Sequence, residues 1–415
     1  MVGNPVDDAE NGDKSRRASP TGVFFYWRPK GLVSTKIVAV RLEIEVKVQN
    51  SFSRRHFLST LTAGTLGVAA SELLSPNGAS AQPNDAAPER EIIGDPRVRG
   101  PFPILSTPFF ESGEVDYETL ADEVKFVDWC ESPGMIWPQA GDAVDLLTKE
   151  EKLRGMEVLA ETARGRKSAL CLGVQGKDID DMRDYARKAE ELEPTAIISR
   201  PPDDGKTEDD LREYWRALMK VVKRPVIIQT SGGTKYKGPA PSVELLIELG
   251  KESEWFGYVK EESSPIEARM RRLLAAKPAI KRVFSAMGGF AWLYHCRIGA
   301  EGLVTERAPF ADVLAAVWRN YDAGNYVVAA DAFSKLMLML NLRETIPGNN
   351  LRGFSLYIWQ KRGVFKNRLS REYGPGNAVP EKPIVSEFKL DADQIAELDL
   401  RFEAMKPYLK EGSWK

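Results

Sequence analysis

From residue 101 onward, short apolar runs alternate with longer segments whose apolar residues recur every three or four positions. "FPILST" (102–107) reads as a strand, and "DYETLADEVKFVDWCE" (116–131) carries Leu120, Val124, Val127 and Cys130 on one helical face. "GMIWP" leads to a helix opening near Thr148, where Thr148 and Glu151 have capping-box spacing. "SALCLGV" (168–174) precedes "DIDDMRDYARKAEEL", and "TAIIS" (195–199) precedes "TEDDLREYWRALMKVV", again with Thr207 and Asp210 placed as a cap. "PVIIQT" (225–230), "WFGYVK", "KRVFSA" and "EGLVTE" are further strands, separated by "SVELLIELGK", "PIEARMRRLLAA" and "FAWLYHCRIG". Strands alternating with helices imply parallel pairing through crossovers. No G-x-G-x-x-G follows the first strand, and eight near-equal units argue for closure into an α/β fold, a (β/α)8 barrel.

The assignment by segment is a non-native or disordered extension over 1–50, then an export signal over 51–81. A flexible mature N-terminus (82–99), the barrel (100–325) and a C-terminal helical region (326–415) follow. Helical patterns in that last region include "YVVAADAFSKLMLMLNLRE", whose methionines point to helix packing or a subunit contact. The signal reading rests on Arg54-Arg55, a weakly apolar Gly/Ala/Thr-rich stretch and an Ala79-Ser80-Ala81 ending. It resembles a twin-arginine signal, which implies the twin-arginine export machinery as a transient partner and a periplasmic destination.

Composition narrows the chemistry. The chain has 415 residues, 43% of them hydrophobic, and a formal charge of -2, with no basic stripe to suggest nucleic acid. Its three cysteines, Cys130, Cys171 and Cys296, have neither ligand-like spacing nor the density of a disulfide framework. Two histidines, His56 and His295, exclude a histidine-rich metal site. His295 lies in a helical run and reads as a packed, hydrogen-bonded histidine.

"GYVKEESSP" (257–265) holds the most informative position. A buried strand ends on Lys260, and two-residue alternation puts Phe256, Tyr258 and Lys260 on one face. Function in a barrel sits at the carboxyl ends of the strands. There Lys260 is either an amine able to attack a carbonyl or an ion pair with Glu261, Glu262 or another carboxylate.

The order of "ILSTPFFESGEVD", "GYVKEESS" and "GAEGLVTE" resembles the dihydrodipicolinate synthase/N-acetylneuraminate lyase family over roughly residues 100–345. The resemblance implies a barrel with extra C-terminal helices, a homo-oligomer (dimer or tetramer), and a Schiff base between Lys260 and the keto group of a 2-oxo acid, chemistry that needs no metal or organic cofactor.

Three departures from the family pattern stand out. The second-strand loop is Pro138-Gln139-Ala140-Gly141-Asp142 in place of G-T-T-G-E, so both hydroxyls that grip a carboxylate are missing. The fourth strand ends Ser199-Arg200-Pro201-Pro202, with proline near the place of the proton-relaying tyrosine. The fifth ends Gln229-Thr230.

Candidate replacements follow from side-chain chemistry, each with a structural alternative. Arg200 suits a carboxylate clamp, or pairs with Asp203 or Asp204 on the rim. Gln139 hydrogen-bonds substrate or ties its own loop. Asp142 and Tyr258 are candidate proton-transfer groups, against capping and core packing respectively. The backbone of Ala140 and Gly141, with Ser199, Thr230, Tyr236 as a lid residue and Ser285, complete the candidate binding set. Gly288-Gly289 shape the pocket, and Thr305 and Glu306 are rim candidates. The leading function is a lyase, aldolase or dehydratase acting through Lys260 on a 2-oxo acid, pyruvate-like or a sugar-acid derivative. The rival is a barrel that has lost catalysis and binds a small molecule.

Overall fold

A computed structural model describes residues 92–415 apart from 345, 347–352 and 376–377. The extension, the export signal and most of the flexible mature N-terminus expected above lie outside the described residues.

Eight parallel strands form the barrel: β1 (Gly100–Pro103), β2 (Gly134–Trp137), β3 (Ala169–Gly173), β4 (Ala196–Ser199), β5 (Val226–Gln229), β6 (Tyr258–Lys260), β7 (Arg282–Phe284) and β8 (Gly302–Thr305). Strands β2 to β7 form one continuous parallel sheet and β1 pairs with β8. The bridges Ile104–Ile136 and Ser285–Leu303 join the two pieces and close the ring. Helices α1 (Tyr117–Trp129), α2 (Lys149–Ala163), α3 (Ile179–Leu192), α4 (Glu208–Met219), α5 (Val243–Glu252), α6 (Ile266–Leu274), α7 (Trp292–Arg297) and α8 (Ala311–Asp322) each follow one strand.

Both anticipated capping boxes form, at Thr148–Glu151 and Thr207–Asp210. Each satisfies amides that the first helical turn leaves unpaired, and a cap of this kind is worth about 1 kcal/mol.

Alternation sorts the strand residues into two cores. Phe102, Ile104, Ile136, Ala169, Cys171, Ala196, Ile198, Ile227, Tyr258, Phe284 and Val304 fill the barrel interior. Val226, Ile228, Val259, Val283 and their outward neighbours pack under the helices. Phe102 and Phe284 meet edge to face at 6.0 Å. Gly134 and Gly302 make room for them: a Cβ on Gly134 would sit 2.3 Å from the Phe102 ring, and one on Gly302 2.5 Å from Phe284.

Phe256 departs from the expected alternation. Gly257 has φ +96, which resets the chain before β6 begins, so Phe256 joins the outer core while Tyr258 faces inward. The C-terminal region adds α9 (Tyr326–Leu340), α10 (Gly353–Lys361) and α11 (Ala392–Ala404). It also adds an antiparallel ribbon of β9 (Leu369–Glu372) and β10 (Ile384–Glu387), which the helical reading of 326–415 did not include. The ribbon is anchored by buried Arg371, which bonds Gly113 O at 2.6 Å, Leu146 O at 2.9 Å and both carboxylate oxygens of Glu151. Among the described residues no helix is long and apolar enough to cross a membrane.

Candidate active site

At the carboxyl end of the strands lies a cavity of about 380 Å³, and Lys260 lines it. The residue is buried, 4% exposed, and its side chain points inward from the end of β6. In the β5–β6 register Lys260 stands opposite Gln229, and its Nζ donates to Gln229 Oε1 at 2.9 Å. Glu262 Oε2 lies 3.5 Å from the same nitrogen, and Glu262 accepts in turn from Ser231 Oγ. The amine is thus held between a neutral acceptor and one carboxylate, with open space beside it.

Glu261 takes no part in this. It is buried on the other side of the strand, where it accepts from Thr230 Oγ1 at 2.8 Å and pairs with Arg269 Nε at 3.0 Å. The two glutamates after the lysine therefore have separate tasks, one at the cavity and one joining β5 to α6.

The rest of the lining mixes polar and apolar groups. Glu306, Glu267 and His295 add titratable side chains, and Ile266, Ala286, Phe290 and Val304 supply apolar wall. Ala140 and Gly141 line it on the β2 side. Glu306 accepts from Thr305 Oγ1 at 3.3 Å and lies 3.1 Å from Arg307 Nη2. His295 Nδ1 is 2.7 Å from Ser285 Oγ, and its Nε2 is 3.7 Å from Glu267 Oε1. Burial holds this imidazole below the ordinary histidine value, against the opposing pull of Glu267.

Several residues singled out from the sequence occupy other surroundings. Tyr258 faces into the barrel, but its hydroxyl accepts from the Asp95 amide at 2.8 Å, at the amino-terminal floor, and does not line the Lys260 cavity. Burial also pushes that phenol above the usual tyrosine value. Asp142 accepts from the Thr107 amide at 2.9 Å and from its hydroxyl, which ties the β2 loop to β1. Ser199 faces outward, its Oγ accepting from Trp215 Nε1 at 3.3 Å on α4.

Arg200 is buried and ion-paired with Asp145, with Asp203 at 3.8 Å, so its charge is already answered from the rim. Gln139 accepts from the adjacent Ala140 amide at 2.6 Å. The Thr230 hydroxyl joins Glu261 and the Glu262 amide, outside the ring of strands. Tyr236 folds back on its own loop and donates to Pro239 O at 2.6 Å. Ser285 is buried beneath the cavity wall, against His295.

Gln229 was within reach of the sequence. Ile227 faces the barrel interior, so two-residue alternation puts Gln229 inward and Thr230 outward. His295 could not be placed the same way, because α7 has only six residues and follows a turn in which Met287, Gly288 and Gly289 all have positive φ.

No protein-family model matches the chain. Over 241 residues it is 25% identical to the 4-hydroxy-tetrahydrodipicolinate synthase of Rhizobium meliloti, which covers 58% of this chain and 80% of that protein. Over 225 residues it is 23% identical to the L-2-keto-3-deoxyarabonate dehydratase of Azospirillum brasilense, covering 51% and 68%. The dihydrodipicolinate synthase structure from Rhodopseudomonas palustris superposes with a TM-score of 0.62 at 18% identity, covering 74% of this chain and 98% of that one. The Aquifex aeolicus structure gives 0.61 at 19%, covering 75% and 100%. The fold is that of these barrels. In sequence the chain is distantly similar to 4-hydroxy-tetrahydrodipicolinate synthases and to this dehydratase, and in fold to dihydrodipicolinate synthases.

Proposed function

We propose that the protein is a lyase or dehydratase that binds a 2-oxo acid as an imine on Lys260. The observation that carries this reading is a buried amine at the carboxyl mouth of a closed barrel, with a cavity of about 380 Å³ beside it. Similarity to a dehydratase acting on L-2-keto-3-deoxyarabonate and to 4-hydroxy-tetrahydrodipicolinate synthases supports it.

The neutral amine adds to the C2 carbonyl, water leaves, and the protonated imine draws electrons from C3. Glu262 is near enough to take up the ammonium proton released before addition. Gln229 fixes the direction in which the amine faces.

The lining favours a substrate with hydroxyl groups. Glu262, Glu267 and Glu306 are acceptors when ionised, and they suit the hydroxyls of a sugar-acid chain better than a second carboxylate. The paired hydroxyls of the family's second-strand loop have no counterpart in Gln139 and Ala140, which fits a substrate gripped along its hydroxylated chain.

The test is borohydride reduction in the presence of pyruvate and a panel of 2-keto-3-deoxy sugar acids. The expected result is a mass increase on Lys260, absent in Lys260→Ala, with a sugar acid trapped faster than pyruvate. No adduct with any of these acids, together with saturable binding of one of them, would support the non-catalytic binder instead.

A further inference from the structure

An imine alone does not turn over. Some group must take a proton from C3 and return one to C3 or to the departing oxygen, and the tyrosine relay of the resembled family is missing from this chain. Tyr258 points to the floor, Asp142 is bonded to Thr107, and Tyr236 is turned onto its loop.

His295 is differently placed. It lines the same cavity as Lys260, on the α7 side. Its Nδ1 is engaged by Ser285 at 2.7 Å, which fixes the ring. Its Nε2 is buried with no hydrogen-bond partner among the described residues. Glu267 from α6 lies 3.7 Å from that nitrogen, and Lys260, Glu262 and Glu306 face the same space. A sphere of this cavity's volume is about 9 Å across, so a three- to five-carbon acid attached to Lys260 spans much of it.

We propose that His295 is the catalytic residue that moves the C3 proton, with Ser285 as its positioning residue. The proposal rests on the lysine-imine reading. Nδ1–H donates to Ser285 Oγ, which leaves the Nε2 lone pair as the base. Lys260 and the keto group form the protonated imine with loss of one water. Nε2 then takes a C3 proton, the C–H electron pair becomes the C2–C3 double bond, and the C=N pair returns to nitrogen to give an enamine.

The imidazolium gives its proton back to C3. Where a hydroxyl stands at C4, it protonates that oxygen instead, and the C–O bond breaks as the enamine electrons move outward. Water leaves, the imine is conjugated, and hydrolysis frees the lysine. No oxidant, reductant or metal enters the balance.

The experiment separates imine formation from proton transfer. Full-length protein is incubated with pyruvate in D2O; loss of the methyl proton signal is followed by NMR, and borohydride trapping is measured in parallel. The native protein should trap pyruvate on Lys260 and exchange its methyl protons. His295→Gln should still trap but exchange at least about a hundredfold more slowly, the usual scale of one general base. Trapping also reports that this variant is folded.

Ser285→Ala keeps the imidazole but removes its acceptor, so exchange should slow and its acid limb should move to lower pH, which lost packing alone would not cause. Exchange by His295→Gln within about threefold of native would overturn the proposal, given that one catalytic proton transfer is worth far more. So would native protein that traps pyruvate without exchanging it. Native protein that traps no 2-oxo acid would instead sink the imine reading, and this proposal with it.

Discussion

Gln229 and Tyr258 show how much of a site one step of alternation decides. Gln229 meets the Lys260 amine at 2.9 Å, whereas Tyr258, two residues from the lysine on the same inward face, reaches the opposite end of the barrel. A strand rises about 3.3 Å per residue, so a long side chain two positions away acts in a different layer. The lysine's inward orientation was legible because strand, period and charge all bear on one residue. The neighbours that complete its surroundings come from other strands and from loops, and no period of a single segment locates those. Two substitutions separate the layers. Gln229→Leu keeps volume but removes the acceptor, and should slow borohydride trapping at Lys260 about tenfold with little change in melting temperature, the loss of one polar contact to a charged group. Tyr258→Phe should leave trapping unchanged and lower stability by about 1–2 kcal/mol, measured by urea unfolding, because the Asp95 amide loses its acceptor. A tyrosine variant that abolished trapping would place the phenol back at the chemistry.

Elements were legible where local rules act alone. Thr148 and Thr207 announce their helices because the cap is built within four residues, and the eight strand-and-helix units follow from their periods. The β9–β10 ribbon was not legible, because Leu369-Ser370-Arg371-Glu372 carries a single aliphatic residue and owes its place to Arg371. That guanidinium bonds Glu151, the same side chain that closes the α2 capping box, so a distant ribbon and a helix start share one carboxylate. Burial raises the Glu151 pKa, but the Arg371 hydrogen bonds, the Thr148 amide and the charges of Arg371 and Lys152 together outweigh it, and the net direction is downward. A carboxylate depressed in the folded state contributes stability above its unfolded value of 4.5, and loses it as pH falls through the lower folded value. Glu151→Gln should therefore cost about 1–3 kcal/mol at pH 7. The difference from native protein should close as pH drops below 4.5. Unfolding curves at pH 7 and below 4 check both halves; an equal cost at both would mean that shape, not charge, holds the ribbon.

For the whole molecule, the barrel must close before the lysine has a mouth to stand in. Closure depends on interior residues from strands far apart in sequence fitting one layer. Phe102 and Phe284 occupy the middle of the barrel because β2 and β8 offer Gly134 and Gly302 beside them. Neither glycine reads as special in its own segment, since each gains its meaning from a ring on a neighbouring strand. An alanine at Gly134 would place its methyl 2.3 Å from a ring that is itself fully buried and has no room to withdraw. Overpacking of this kind costs about 1–3 kcal/mol. If the clash is with the ring alone, Phe102→Leu should relieve it, and the two changes together should be less damaging than the sum of each. The expected cycle is a Gly134→Ala protein less stable by that amount, a Phe102→Leu protein destabilised by lost packing, and a double variant that regains at least about 1 kcal/mol relative to additivity. Lys260 trapping should survive in all three wherever they remain folded, because the glycine layer lies below the amine and supports it through the sheet. Strict additivity in the cycle would mean that the alanine methyl is accommodated by movement of β2 itself, and then trapping at Lys260 should fall with stability.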